Sequence, residues 1–196
     1  MRGEAIEAVK NGMQVLISAL KQDPYALETA YISITTFDRI VQNVLPLTEI
    51  GEVIMPELVT PESGPTHLGA ALEDLCSQYD RDIVLGTAKQ KGDWMPLLFI
   101  ITDGGPSDMY LYRQMIGEVR RRKFANIIAL GAGPKAKEQY LRELTDNVTM
   151  LDTVEGPMLQ HCFKWVSATV SSSSRSSGVS SSLPLPPPPP EVHLMI

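Results

Sequence analysis

The chain has 196 residues, of which 43% are hydrophobic and 20% charged, enough to bury one sizeable core. A formal net charge of −6 argues against nucleic acid or an anionic membrane as partner, since both reward a basic face. The first residues, Met1-Arg2-Gly3-Glu4, lack a basic-then-apolar leader, and no apolar run approaches the ~20 residues that span a bilayer, so the expected compartment is the cytoplasm. Two cysteines, Cys76 and Cys162, lie too far apart for a CxxC pair and read as reduced, buried thiols.

Ile6, Val9, Met13, Leu16, Ile17 and Leu20 recur at helical spacing, which predicts an amphipathic helix over 4–21. Asp23-Pro24 is expected to stop it. Tyr31–Phe37 follows as a β-rich run, and a second strand over 39–45 is expected to return beside it as a hairpin. Residues 48–65 are rich in Pro, Glu, Gly and Thr and read as an irregular connection. A helix is then predicted from Thr66 to about Tyr79.

Leu97-Leu98-Phe99-Ile100-Ile101 is continuously apolar, the pattern of a strand buried on both faces of a parallel sheet. It ends in Thr102-Asp103-Gly104-Gly105. Ser107 or Asp108 suits the cap of a helix over 109–122, whose basic end, Arg120 to Lys123, matches the negative pole of the helix dipole. Strand 126–130, helix 135–144, strand 148–151 and a closing helix over 158–170 complete the pattern. Alternating strands and helices predict a doubly wound, mostly parallel α/β sheet covered on both faces, with ligands at the carboxyl ends of its strands. The folded domain is assigned to 1–170, and the Ser- and Pro-rich segment 171–196 is expected to be a disordered tail.

Asp103 stands at such a strand end, and an aspartate followed by two glycines is free to meet a hard cation. With the Thr66 hydroxyl it makes a candidate oxygen-ligand pair for Mg2+. The plainer alternative has Asp103 closing an Asx turn and Thr66 capping a helix. Gly131-Ala132-Gly133 lacks the further glycine of a phosphate loop and reads as a turn. His67, His161 and His193 form no metal spacing; His67, next to Thr66, reads first as a surface histidine and alternatively as part of the rim of the Asp103 site; Trp94 and Trp165 are expected at the core or its edge.

The segments SGPTHLGAAL and LLFIITDGGPSD, and the order of elements around them, resemble the von Willebrand factor A (vWA) domain. MRGEAIEAVKNGMQVLISALKQDPYALETA, KGDWMPLLFIITDGGPSD and FKWVSATVSSSSRSSG with the proline-rich end resemble, more narrowly, the TerY-type proteins of tellurium-resistance clusters. The resemblance covers nearly the whole chain. It implies a metal-ion-dependent adhesion site built from a DxSxS loop after the first strand, a threonine and an aspartate, with Thr66 and Asp103 as the last two. The chain opens at the final Met of the family's DTSGSM motif, so the resemblance implies an N-terminally truncated domain lacking its first, central strand and DxSxS loop. Two buried strands would then lose their ladder partner.

The function so implied is a metal-dependent protein-binding module, not an enzyme, serving as a scaffold in a tellurite or stress response. A partner protein, of the kind exemplified by phosphatase- or kinase-like neighbours, would donate an acidic side chain to the metal. The alternatives are a magnesium-dependent phosphohydrolase using Asp103, for which the usual DxD is absent, and a non-functional remnant.

Overall fold

The computed structural model describes residues 1, 3–60, 64–87, 89–151 and 156–175. Helix α1 (Glu4–Gln22) buries Ala8, Val9, Gly12, Leu16, Ile17 and Leu20 on one stripe, with Glu4 and Glu7 in its first turn and Lys21 in its last, as its dipole favours. Asp23-Pro24 ends it but also starts a short helix, α2 (Pro24–Thr29), which was not expected. The Asp23 carboxylate accepts the Tyr25 and Ala26 N–H groups, and Pro24 occupies the first helical position, where its missing N–H costs nothing.

Strands β1 (Tyr31–Phe37) and β2 (Val41–Glu49) form the expected antiparallel hairpin, with Phe37 opposite Val41 and Tyr31 opposite Glu49. β2 runs four residues beyond the expected Leu45 and takes in Pro46, which an edge strand tolerates. A single 3-10 turn at Ile50–Glu52 follows. Helix α3 (Leu68–Asp82) then leads through a loop to β3 (Leu97–Thr102), α4 (Met109–Arg121), β4 (Asn126–Ala132), α5 (Glu138–Leu144), β5 (Asn147–Leu151) and α6 (Gly156–Arg175). α6 passes five residues beyond the boundary expected at 170; the proline run of the tail lies outside the described residues.

The strands make two sheets rather than one ladder: the β1-β2 hairpin and a three-stranded parallel sheet in the order β3-β4-β5. Leu97 pairs with Asn126 and Thr102 with Gly131; Ile128 pairs with Asn147 and Ala132 with Leu151. Side chains alternate between the faces of this sheet. Phe99, Ile101, Ile128, Leu130 and Leu151 pack with α1 and α6, whereas Ile100, Ala129 and Val148 pack with α3, α4 and α5. Ile32 and Leu45 of the hairpin join the first core, Phe37 and Val41 the second.

The hairpin is thus tied to the sheet through shared helices, not through backbone pairing. Among the described residues one edge of β1 and one edge of β3 have no ladder partner. β3 was expected to be buried on both faces, yet Leu97, Leu98, Phe99 and Ile101 are only half-buried, while β4 is buried from Ile128 to Ala132. The reason is position: β4 has a strand on each side and β3 on one.

Two contacts hold these layers in register. Between the hairpin and α3, Gln78 is buried; its Nε2 donates to Thr35 Oγ1 at 3.0 Å and to Asp74 Oδ2 at 2.6 Å, while its Oε1 accepts from Asn43 at 2.8 Å and from Ser33 at 3.0 Å. Between α1 and α6, the Phe163 ring lies on Gly12 and meets Phe99 edge-on at 5.6 Å between centroids.

Gln78→Leu should therefore lower stability by about 2 kcal/mol, because it leaves buried polar partners unpaired. Gly12→Ala gains helix propensity, but its Cβ would lie 2.1 Å from Phe163 Cδ2, so a net loss of about 1–2 kcal/mol is expected. Urea unfolding measures both, and a stabilised Gly12→Ala would contradict the packing described.

Candidate metal centre

Asp103 leaves the carboxyl end of β3. The turn that follows is closed by Thr102, not by Asp103: Thr102 Oγ1 accepts the Gly104 N–H at 3.3 Å and donates to Gly104 O at 3.0 Å. The Asp103 carboxylate makes no Asx turn and remains half-exposed, at 47%. Its Oδ2 lies 2.8 Å from the Met1 backbone nitrogen.

Thr66 stands just before α3, and its backbone is laced to the loop after β3. Its N–H donates to Ser107 Oγ at 2.9 Å, and its carbonyl accepts the Ser107 N–H at 2.8 Å. Thr66 is not the cap of α3; that position is His67, whose side chain makes no capping bond. The capping comes from across the crevice. Asp108 stands at the N-cap position of α4, as expected, but its carboxylate caps α3 instead: Oδ1 accepts the Gly69 N–H at 3.0 Å and Oδ2 the Ala70 N–H at 2.8 Å. Close approach of the two helices requires Gly69, where a Cβ would lie 2.4 Å from the Tyr112 amide nitrogen.

This lacing sets the Thr66 hydroxyl directly over Gly104, where a Cβ would be 2.8 Å from Oγ1. The side chains of Thr66 and Asp103 therefore share one end of the sheet, brought there by Gly104. The hairpin turn forms the rim: the His67 N–H donates to Asp38 O at 2.9 Å, and its Nδ1 lies 3.1 Å from Arg39 O. His161 is half-buried in α6, and His193 lies outside the described residues.

The donor chemistry fits a hard cation in part. One carboxylate and one hydroxyl are oxygen ligands of the right kind. No group of three or more His, Cys, Asp or Glu side chains capable of holding a metal gathers among the described residues. Waters and a ligand from outside would have to fill the remaining positions.

The other candidate groups resolve simply. Gly131 belongs to β4, and Gly133 turns the chain with φ of +85°, in accord with a turn. Cys76 and Cys162 are free and buried in different cores; burial raises both thiols, Cys162 to about 11. Trp165 is buried as expected, but Trp94 is exposed.

No protein-family model matches the chain, and no curated protein matches it either. Solved structures do. Proximal thread matrix protein 1 from the mussel byssus, at 13% identity, superposes on 85% of this chain and 43% of its own with a TM-score of 0.61; its other crystal form gives 0.58. The manganese-loaded TRAP protein of Plasmodium vivax, a vWA-domain protein, is 17% identical and covers 79% of this chain and 64% of its own, with a TM-score of 0.50. The chain spans less than half the length of the mussel protein. At these identities the likeness is one of fold, and the fold is vWA-like. No helix among the described residues is long and apolar enough to cross a membrane.

The interhelical cap carries a direct expectation. Asp108→Ala should cost about 1–2 kcal/mol in urea unfolding by freeing two α3 amides. Unchanged stability would show that the cap contributes nothing.

Proposed function

We propose that the chain is a protein-binding module of the vWA type, in which Asp103 and Thr66 hold a divalent cation and an acidic side chain of a partner protein completes its coordination. The observation that carries this reading is the Thr66 hydroxyl set over Gly104, the residue after Asp103, at the strand end where the Asp103 carboxylate stays half-exposed. A bound cation would supply charge neutralisation between two carboxylates, linking two proteins without reaction. Mg2+ is the ion proposed, and the manganese-loaded state of the TRAP protein supports a divalent ion in this fold. The resemblance to TerY-type proteins supports a cytoplasmic scaffold in a tellurite or stress response, with a phosphatase- or kinase-like partner.

The free edges of β1 and β3 and the half-exposure of β3 support a second part of the same reading. A further strand, carrying the DxSxS loop and placed before α1 in the family, belongs between them and would complete a doubly wound sheet. A phosphohydrolase is the weaker alternative, because Asp108, the next carboxylate after Asp103, is held by α3.

Calorimetric titration with MgCl2 should give weak binding by the chain and none by Asp103→Ala; equal binding by both removes Asp103 from the site. An upstream-extended version ending in the family's DTSGS should melt higher than the chain alone. Identical melting temperatures would remove the missing strand from the account.

A further inference from the structure

The connection between α3 and β3, residues 83–96, lies at the end of the parallel sheet opposite Asp103, about 20 Å away along β3. It is a braced finger. Asp93 ties its base, donating its N–H to Val84 O at 2.8 Å and accepting the Val84 N–H on Oδ2 at 2.7 Å. Further out, Gly86 and Gly92 pass so closely that a Cβ on Gly92 would lie 2.1 Å from the Gly86 nitrogen, an approach only glycine allows. Near the tip the Thr87 N–H donates to Gln90 O at 2.9 Å.

This braced backbone displays apolar surface and unmatched positive charge together. Val84 is 51% exposed, Leu85 60% and Trp94 39%, so the tryptophan expected at the core edge is instead presented outward. Lys91 Nζ lies 5.9 Å from the Trp94 ring centroid. The carboxylates at this end are already engaged: Asp93 by the Val84 amide, Asp82 by Arg81 and Asp80 by Arg122. Neither Lys89 nor Lys91 reaches a carboxylate among the described residues.

We propose that this finger is a docking surface for an acidic segment of another protein, which sets an apolar side chain on Leu85 and Trp94 and its carboxylates against Lys89 and Lys91. Complementary charge selects this occupant: residues 83–96 carry Lys89 and Lys91 against one carboxylate, Asp93, which is turned onto the Val84 amide, so the finger is net positive on a chain of net charge −6. The same net charge disfavours an anionic membrane, which repels the whole acidic body, whereas a short acidic segment meets only the finger. The surface is separate from the Asp103 site and does not rest on metal binding there.

The test uses the whole chain and a blocked synthetic peptide of alternating glutamate and leucine, followed by the emission of Trp94, since Trp165 is buried. Saturable binding is expected, weakened about tenfold by Lys89→Glu with Lys91→Glu and by raised salt, lost in Leu85→Asp, and unaffected by Asp103→Ala. Leu85, Lys89 and Lys91 are exposed and Asp103 is half-exposed, and circular dichroism confirms that the variants fold. Absence of binding, equal affinity for the charge-reversed variant or for the glutamine version of the peptide, or binding to phosphatidylserine vesicles in preference to the peptide would each overturn the proposal.

Discussion

The structure depends on how far backbone pairing reaches. Hydrogen-bonded ladders end at β1 on one side and at β3 on the other, so among the described residues no ladder joins the hairpin to the parallel sheet. Side-chain burial does so instead. α1 and α6 cover one face and α3 to α5 the other, and both cores draw residues from both sheets. An apolar strand edge left unpaired invites pairing with other chains. The half-burial of Leu97, Leu98, Phe99 and Ile101 follows from this arrangement.

The same arrangement builds the crevice. The N-terminus of α3 is secured by the loop after β3, through Ser107 on Thr66 and Asp108 on Gly69 and Ala70. Those bonds bring the Thr66 hydroxyl over Gly104 and leave the Asp103 carboxylate free of local turn duties. The polar residues around the site thus divide their work. Ser107, Asp108 and Thr102 hold the loops, while Thr66 and Asp103 are left for a ligand. At the far end of the sheet the finger is held by backbone contacts and by the Asp93 carboxylate on the Val84 amide, which leaves its lysines and apolar side chains outward.

Much of this was legible in the sequence. The continuous apolar run before Thr102 located β3 and hence Asp103, the β-rich run 31–37 matches β1 at both ends, and the spacing after Pro106 placed α4 to within a residue. What escaped was set by contacts distant in sequence. Asp108 looks like a local cap because its true acceptor role lies 39 and 38 residues away, on Gly69 and Ala70. Burial of β3 was overestimated because the apolar run reports face coverage, and an edge strand shows the same run as a central one. Trp94 was misplaced because it lies in the connection before β3, where no periodicity reports which side chains are covered. Only Asp23-Pro24 carried a local signal that was available: an aspartate before proline is a helix start as well as a stop.

The central claim, that Asp103 and Thr66 form one cation-accepting centre, is tested most directly by paramagnetic broadening. Amide resonances of the isotope-labelled chain would be followed as Mn2+ is added, a measurement that registers even weak, partly coordinated ions. The account predicts that Thr66, Asp103 and Gly104 broaden first and that this selectivity disappears in Asp103→Ala. Broadening that spares these residues and follows the exposed carboxylates elsewhere would contradict it.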